Sequence, residues 1–138
     1  MSAFDLRWMV GRRIERVTFT EPESWLFQFA TDGVISTQCH WRILVRGYID
    51  VSDDDHKQQF GLPEPIDAAA AATDLLSPLV VTDVDVRKGT LDLTISFGQD
   101  TQLQLIPFSS GYESWNLTDP SGNHIVAQGG GQLSSWKP

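Results

Sequence analysis

Cysteine is almost absent from this chain. Cys39 is the only one in 138 residues, so no intrachain disulfide can form, and the chain suits a reducing cytoplasm. Positive charge is also scarce: ten Lys and Arg face 18 Asp and Glu, giving a net charge of -8 and a pI near 4.6. Such a field repels phosphate backbones and anionic lipid surfaces, so neither nucleic acid nor membrane is expected as a partner. A basic partner is favoured instead. No apolar run approaches the length of a bilayer. The segment Met1-Ser2-Ala3-Phe4-Asp5 lacks a basic region followed by an apolar stretch, so no signal peptide is read and a cytoplasmic location is expected.

Catalytic signatures are missing too. There is no Gly-x-Ser-x-Gly elbow. Gly129-Gly130-Gly131 runs into Gln132-Leu133 rather than the Lys-Ser or Lys-Thr of a phosphate-binding loop, and reads as a flexible turn. His40, His56 and His124 are scattered, and Cys39 has no second cysteine with which to hold zinc. Asp53-Asp54-Asp55-His56 offers oxygen and imidazole ligands, but the spacing is not that of a calcium loop. That segment reads as a solvated, irregular acidic loop through Gly61. Neither a cofactor nor a metal is expected.

What the chain does have is aromatic residues, five Trp and seven Phe, and strict alternation. Trp25, Phe27 and Phe29 share one strand face, as do Trp41, Ile43 and Val45. Asp32-Gly33 between them is a hairpin signal. Later, Val84 and Val86 oppose Asp83 and Asp85; Leu91, Leu93, Ile95 and Phe97 oppose Asp92, Thr94 and Ser96; and Leu103 and Leu105 oppose Gln102 and Gln104. One wet face and one buried face is the pattern of antiparallel sheets. The length fits one domain, residues 1–138. Within it two similar halves, about 12–50 and 79–128, each read as a meander ending on a tryptophan, Trp41 or Trp115.

Between the halves, Asp67 caps a helix over Ala68 to Leu76, and Ala68, Ala72, Leu75 and Leu76 form its apolar stripe. About nine helical residues are not stable alone in water, so this helix must dock on the sheet. The predicted fold is α+β: mostly antiparallel β in two meander halves, as a curved sheet, a half-barrel or two packed meanders, with one short helix near 67–77 against the open side. The tail after the glycines is expected to be loosely held, with Trp136 folding back on something apolar.

The segment Gly111-Tyr112-Glu113-Ser114-Trp115 reads as a strand that places Glu113 beside Trp115 and Leu117. A carboxylate there needs donors, and Arg42 or Arg46 would supply them; otherwise its pKa rises. The central Asp-Ala-Ala helix, the Tyr112-Glu113-Ser114-Trp115 strand and the closing Gly-Gly turn together resemble small acidic bacterial proteins of a domain family of unknown function. The resemblance implies an immunity-like or accessory protein that binds a partner and carries no chemistry. It puts the family pattern at Tyr112, Glu113 and Trp115.

Two functions are expected in order. The first is a non-enzymatic cytosolic binding protein that neutralises a basic protein, with Asp53, Asp54 and Asp55 on the partner surface. The second is a small-ligand module whose pocket gathers Trp41, Arg42, Tyr112, Glu113 and Trp115. An enzyme using Glu113 as general base is a distant third, because no second catalytic group stands at recognisable spacing. An exposed sheet edge would also allow a homodimer.

Overall fold

The alternating segments fold into two antiparallel sheets in the computed structural model, which describes residues 5–137. The described strands are β1 (Ile14–Thr20), β2 (Ser24–Phe29), β3 (Val34–Thr37), β4 (His40–Val45), β5 (Tyr48–Ser52), β6 (Asp83–Val86), β7 (Leu93–Phe97), β8 (Thr101–Ile106), β9 (Trp115–Thr118), β10 (His124–Gln128) and β11 (Gln132–Trp136). One sheet has the order β1-β2-β3-β9-β10-β11 and the other β5-β4-β8-β7-β6. The fold is therefore α+β with two separate sheets rather than a half-barrel.

The halves do not each build one sheet, as two independent meanders would. The chain crosses between sheets after β3 and crosses back after β8, so each half contributes to both. The orders β1-β2-β3-β9-β10 and β6-β7-β8-β4-β5 are the same pattern with the halves exchanged. Under that exchange β4 corresponds to β9, so Trp41 and Trp115 enter the core from opposite sheets. Trp41 meets Trp25 edge-on at 5.0 Å and Phe27 at 5.5 Å across the interface.

Helix α1 (Ala68–Leu76) forms where its apolar stripe predicts. Asp67 accepts a hydrogen bond from Ala70 N at 3.0 Å and caps it, and Ala68, Ala72 and Leu76 are fully buried. The helix packs against β1 and β5, bridging the edge strands of the two sheets. Thr73 ties it to the sheet edge: Val17 N donates to Thr73 Oγ1 at 2.9 Å, while the hydroxyl donates back to Ala69 O at 2.8 Å.

The tail is not loose. Gln132–Trp136 pairs along β10 as β11, and Trp136 stacks on His124 at 5.6 Å. The glycine turn before it is dictated by close packing. A Cβ on Gly129 would meet the backbone of Gly111 at 2.4 Å, and one on Gly131 would meet Gly89 O at 2.2 Å. Only glycine allows two loops to approach that closely.

Candidate functional site

Both sheet crossovers, the β1–β2 turn and the end of β5 meet at one end of the sandwich. The first crossover carries Gln38 and Cys39 into His40, the first residue of β4. Directly beyond β5, Asp53–Asp55 form a single 3-10 turn rather than an irregular loop. The turn is fixed from two sides. Ser52 N donates to Asp55 Oδ2 at 3.0 Å, and Asp53 Oδ1 accepts from Trp41 N at 3.0 Å. The other oxygen of Asp53 lies 2.8 Å from His40 Nδ1. Asp54 remains exposed, with its carboxylate 3.6 Å from the same nitrogen.

Three recesses open around His40. The first, about 310 Å³, has Phe19, Trp25 and His56 in its wall and Glu23, Asp53 and Asp54 among its polar groups. The second, about 270 Å³, lies between Cys39, Phe108, Tyr112 and Glu113, with Glu23 shared. The third, about 250 Å³, is bounded by Trp41, Arg42, Ile49 and Phe108. Phe108 is 79 % exposed and packs on the His40 ring at 5.1 Å; Tyr112 is 82 % exposed. Bare aromatic rings set among four carboxylates, Glu23, Asp53, Asp54 and Glu113, suit a cation with an apolar stem. The two cations on this surface are engaged: Lys57 with Glu21 and the Phe19 ring, and Arg42 Nε with Gln104 Oε1 at 2.7 Å.

His56 is used structurally. Its Nδ1 accepts from Ala68 N at 3.1 Å at the start of α1, which places its proton on Nε2. Its ring packs on Phe19 at 4.6 Å and Trp25 at 5.2 Å. Asp53, Asp54, Asp55 and His56 thus do not converge as one ligand set. The donor atoms that do lie within 4.8 Å of one another belong to His40, Asp53 and Asp54, and exposed acidic groups commonly gather without an ion.

Both tryptophans expected in a pocket are buried in the core, and only Trp41 reaches a recess, at the edge of the third. Trp41 is 1 % and Trp115 0 % exposed, and the Trp115 indole donates to Leu91 O at 2.9 Å. Glu113 also departs from expectation. The strand begins only at Trp115, so Glu113 sits in the exposed β8–β9 crossover rather than among apolar side chains, and it makes no ion pair with Arg42 or Arg46. The backbone is held off the ladder there: Ser109 Oγ accepts from Gly111 N at 3.0 Å and from Tyr112 N at 2.9 Å. Tyr112 and Glu113 nonetheless share a recess, and His40 joins that recess to Asp53 and Asp54. Trp115 lines none of the three.

The His40–Asp53 pair resembles the base and orienting group of a hydrolase, but among the described residues no nucleophile hydrogen-bonds to His40. Neighbouring Cys39 is largely buried, and that burial holds its thiol above the ordinary pKa. The Thr37 hydroxyl, 3.0 Å from Sγ, also accepts from Cys39 N at 3.0 Å. A protonated, tethered thiol is a packing residue rather than an attacking group.

Of the residues expected at a site, Trp41, Arg42, Tyr112, Glu113, Asp53 and Asp54 border these recesses and Asp55 and Trp115 do not, while His40, Phe108 and Glu23 were not among those expected. The signal for Phe108 was available: Pro107-Phe108-Ser109-Ser110 is an aromatic inside a polar, turn-rich stretch. No signal existed for Glu23, which joins the site only because the β1–β2 turn folds to this end. No helix among the described residues is long and apolar enough to cross a membrane. No curated protein and no solved structure matches the chain. A family model does match, over residues 5–137, and on that match the chain belongs to the family described as "Family of unknown function (DUF6188)".

Proposed function

We propose that this protein is a non-enzymatic binding protein whose partner is a basic protein, docked on the face around His40. One observation carries the reading: four carboxylates and two bare aromatic rings converge on three adjoining recesses at one end of the sandwich. An arginine or lysine from the partner would lay its aliphatic stem on Phe108 or Tyr112 and its charge against Glu113, Glu23 or Asp54. The overall charge of -8 would steer such a partner and speed encounter. Ile49, 60 % exposed on edge strand β5, extends the apolar part of the same surface. In its finer form the reading is a cytoplasmic immunity-type or accessory protein of bacteria.

The test is a pull-down from the native host with wild-type protein and a Glu113→Lys, Asp54→Lys double variant, at low and high salt. Both positions are exposed, so the fold should be unaffected. The wild type should retain a basic protein at low salt, release it at high salt, and lose it on charge reversal. Retention of no basic protein at low salt, or equal retention by the variant, sinks the proposal.

A further inference from the structure

The sandwich has two lateral seams, and only one is sealed. On the side of β1 and β5, α1 packs against both edge strands. On the opposite side the edge strands are β6 and β11, and among the described residues no helix comparable to α1 spans them; the short 3-10 turn Arg7–Met9 lies against β6. A cavity of about 510 Å³ opens there, larger than any recess around His40 and within the usual range for small-molecule sites. Its apolar wall comes from both sheets and from the segment before β1: Val86 of β6, Leu133 of β11, Leu91 and Leu6.

The walls are preformed. Leu91 has φ +63°, a conformation costly for leucine, and is pinned by Leu91 N to Arg87 O at 2.8 Å and by Trp115 Nε1 to Leu91 O. Gly131 is locked against Gly89 O. The charge at this cavity differs from the rest of the molecule. Two cations, Arg7 and Lys88, and one carboxylate, Asp5, line it, and Asp83 beside it pairs with Arg7, so the patch is near neutral within a molecule of -8 and Lys88 is its uncommitted cation. Asp5 Oδ1 accepts from Arg7 N at 2.9 Å, and Arg7 pairs with Asp83 at 2.8 Å. Lys88 forms no ion pair among the described residues.

We infer that this seam is a binding site for an anionic amphiphile: a flexible hydrocarbon chain between β6 and β11 with a carboxylate at Lys88. The cavity lies at the same end of the sandwich as the docking face but on its opposite lateral side, and the two share no lining residue. Charge makes the inference sharp. The whole-molecule field favours a cationic amphiphile, so a preference for the anion can come only from the local cations.

The experiment is calorimetric titration with dodecanoate and with dodecyltrimethylammonium, each below its micelle threshold, on wild type, Lys88→Glu and Leu133→Asp. Circular dichroism melts check folding. Dodecanoate should bind one per chain, at least about tenfold tighter than the ammonium amphiphile, and Lys88→Glu should weaken it by about tenfold. Leu133→Asp should abolish it. Lys88 is exposed, so its variant still decides the matter if Leu133→Asp unfolds. No heat with dodecanoate, equal affinity for the two amphiphiles, or indifference to Lys88→Glu overturns the inference. So does sedimentation showing that the seam is covered by a second copy which dodecanoate cannot displace.

Discussion

Replacing each of the two buried tryptophans by phenylalanine should give very different stability losses. Trp41 and Trp115 are equally buried and occupy corresponding strands of the two sheets. Trp→Phe removes the same ring portion and the same N–H at either place, so the lost apolar area nearly cancels in the comparison. The polar contributions do not cancel. Trp115 Nε1 donates to Leu91 O in the core, and its loss leaves a buried carbonyl unpaired, at about 1–3 kcal/mol. Trp41 Nε1 is buried without a partner among the described residues, so deleting it removes a desolvation penalty of similar size, about 1–3 kcal/mol. Against that, Trp41 forfeits part of its edge-on contacts with Trp25 and Phe27, about 0.5–1.5 kcal/mol. Trp115→Phe should therefore cost about 2–4 kcal/mol more than Trp41→Phe. Urea denaturation followed by far-UV circular dichroism measures this, since tryptophan fluorescence changes with the substitution itself. The slope m should stay constant in both variants. Losses within about 0.5 kcal/mol of each other, or a larger loss for Trp41→Phe, would refute the hydrogen-bond assignment.

Three further outcomes test the frame around the sites. Gly131→Ala adds a Cβ at 2.2 Å from Gly89 O at φ +83° and should cost about 2–5 kcal/mol, while Gly47→Ala, at φ +84° in open space, should cost about 1 kcal/mol by thermal melt. Thr73→Val leaves Val17 N without its acceptor and should cost about 1–3 kcal/mol in urea, with Thr73→Ser losing much less. Burial pushes the Asp119 carboxyl up, but hydrogen bonds from the Asn123 side chain and from nearby backbone N–H groups outweigh it and hold the pKa below 3.8. A depressed folded pKa means stability present above pH 3.8 and lost as pH falls through the folded value. Asp119→Asn should thus be destabilised at pH 7 by under about 1 kcal/mol, with the gap to wild type closing in acid melts below that range.

The legible parts of the sequence were those where one face is buried and the other wet. β7 and β8 alternate without a fault, and Asp67 with the alanine stripe fixed α1 to the residue. The pattern misled where backbone geometry overrides it. Leu91 continues the alternation of Leu93, Ile95 and Phe97 but lies in the preceding turn at φ +63°, because its carbonyl serves Trp115. Glu113 continues that of Trp115 and Leu117, yet Ser109 draws the chain out of the ladder before Trp115. Gln132–Trp136 looked like a tail because it is polar, and it is polar because β11 is an edge strand with one exposed side. The candidate site was half legible because Tyr112, Glu113, Asp53 and Asp54 stand out locally. His40, Phe108 and Glu23 join them only through the crossovers.

Exchange of the halves accounts for the position of both proposed sites. If the two sheets were related by that exchange alone, β5 and β10 would be equivalent, and so would the seams on either side. Two additions break the equivalence. β11 pairs with β10 and covers it, whereas β5 stays an edge that exposes Ile49 beside the third His40 recess. Helix α1, inserted between the halves, seals the β1–β5 seam and leaves β6–β11 to the short Arg7–Met9 turn. The acidic aromatic face and the apolar seam with its cations thus sit where the chain departs from its own symmetry. Because the two places share no lining residue, substitutions at Glu113 and Asp54 should leave dodecanoate binding intact, and Lys88→Glu should leave the basic partner bound.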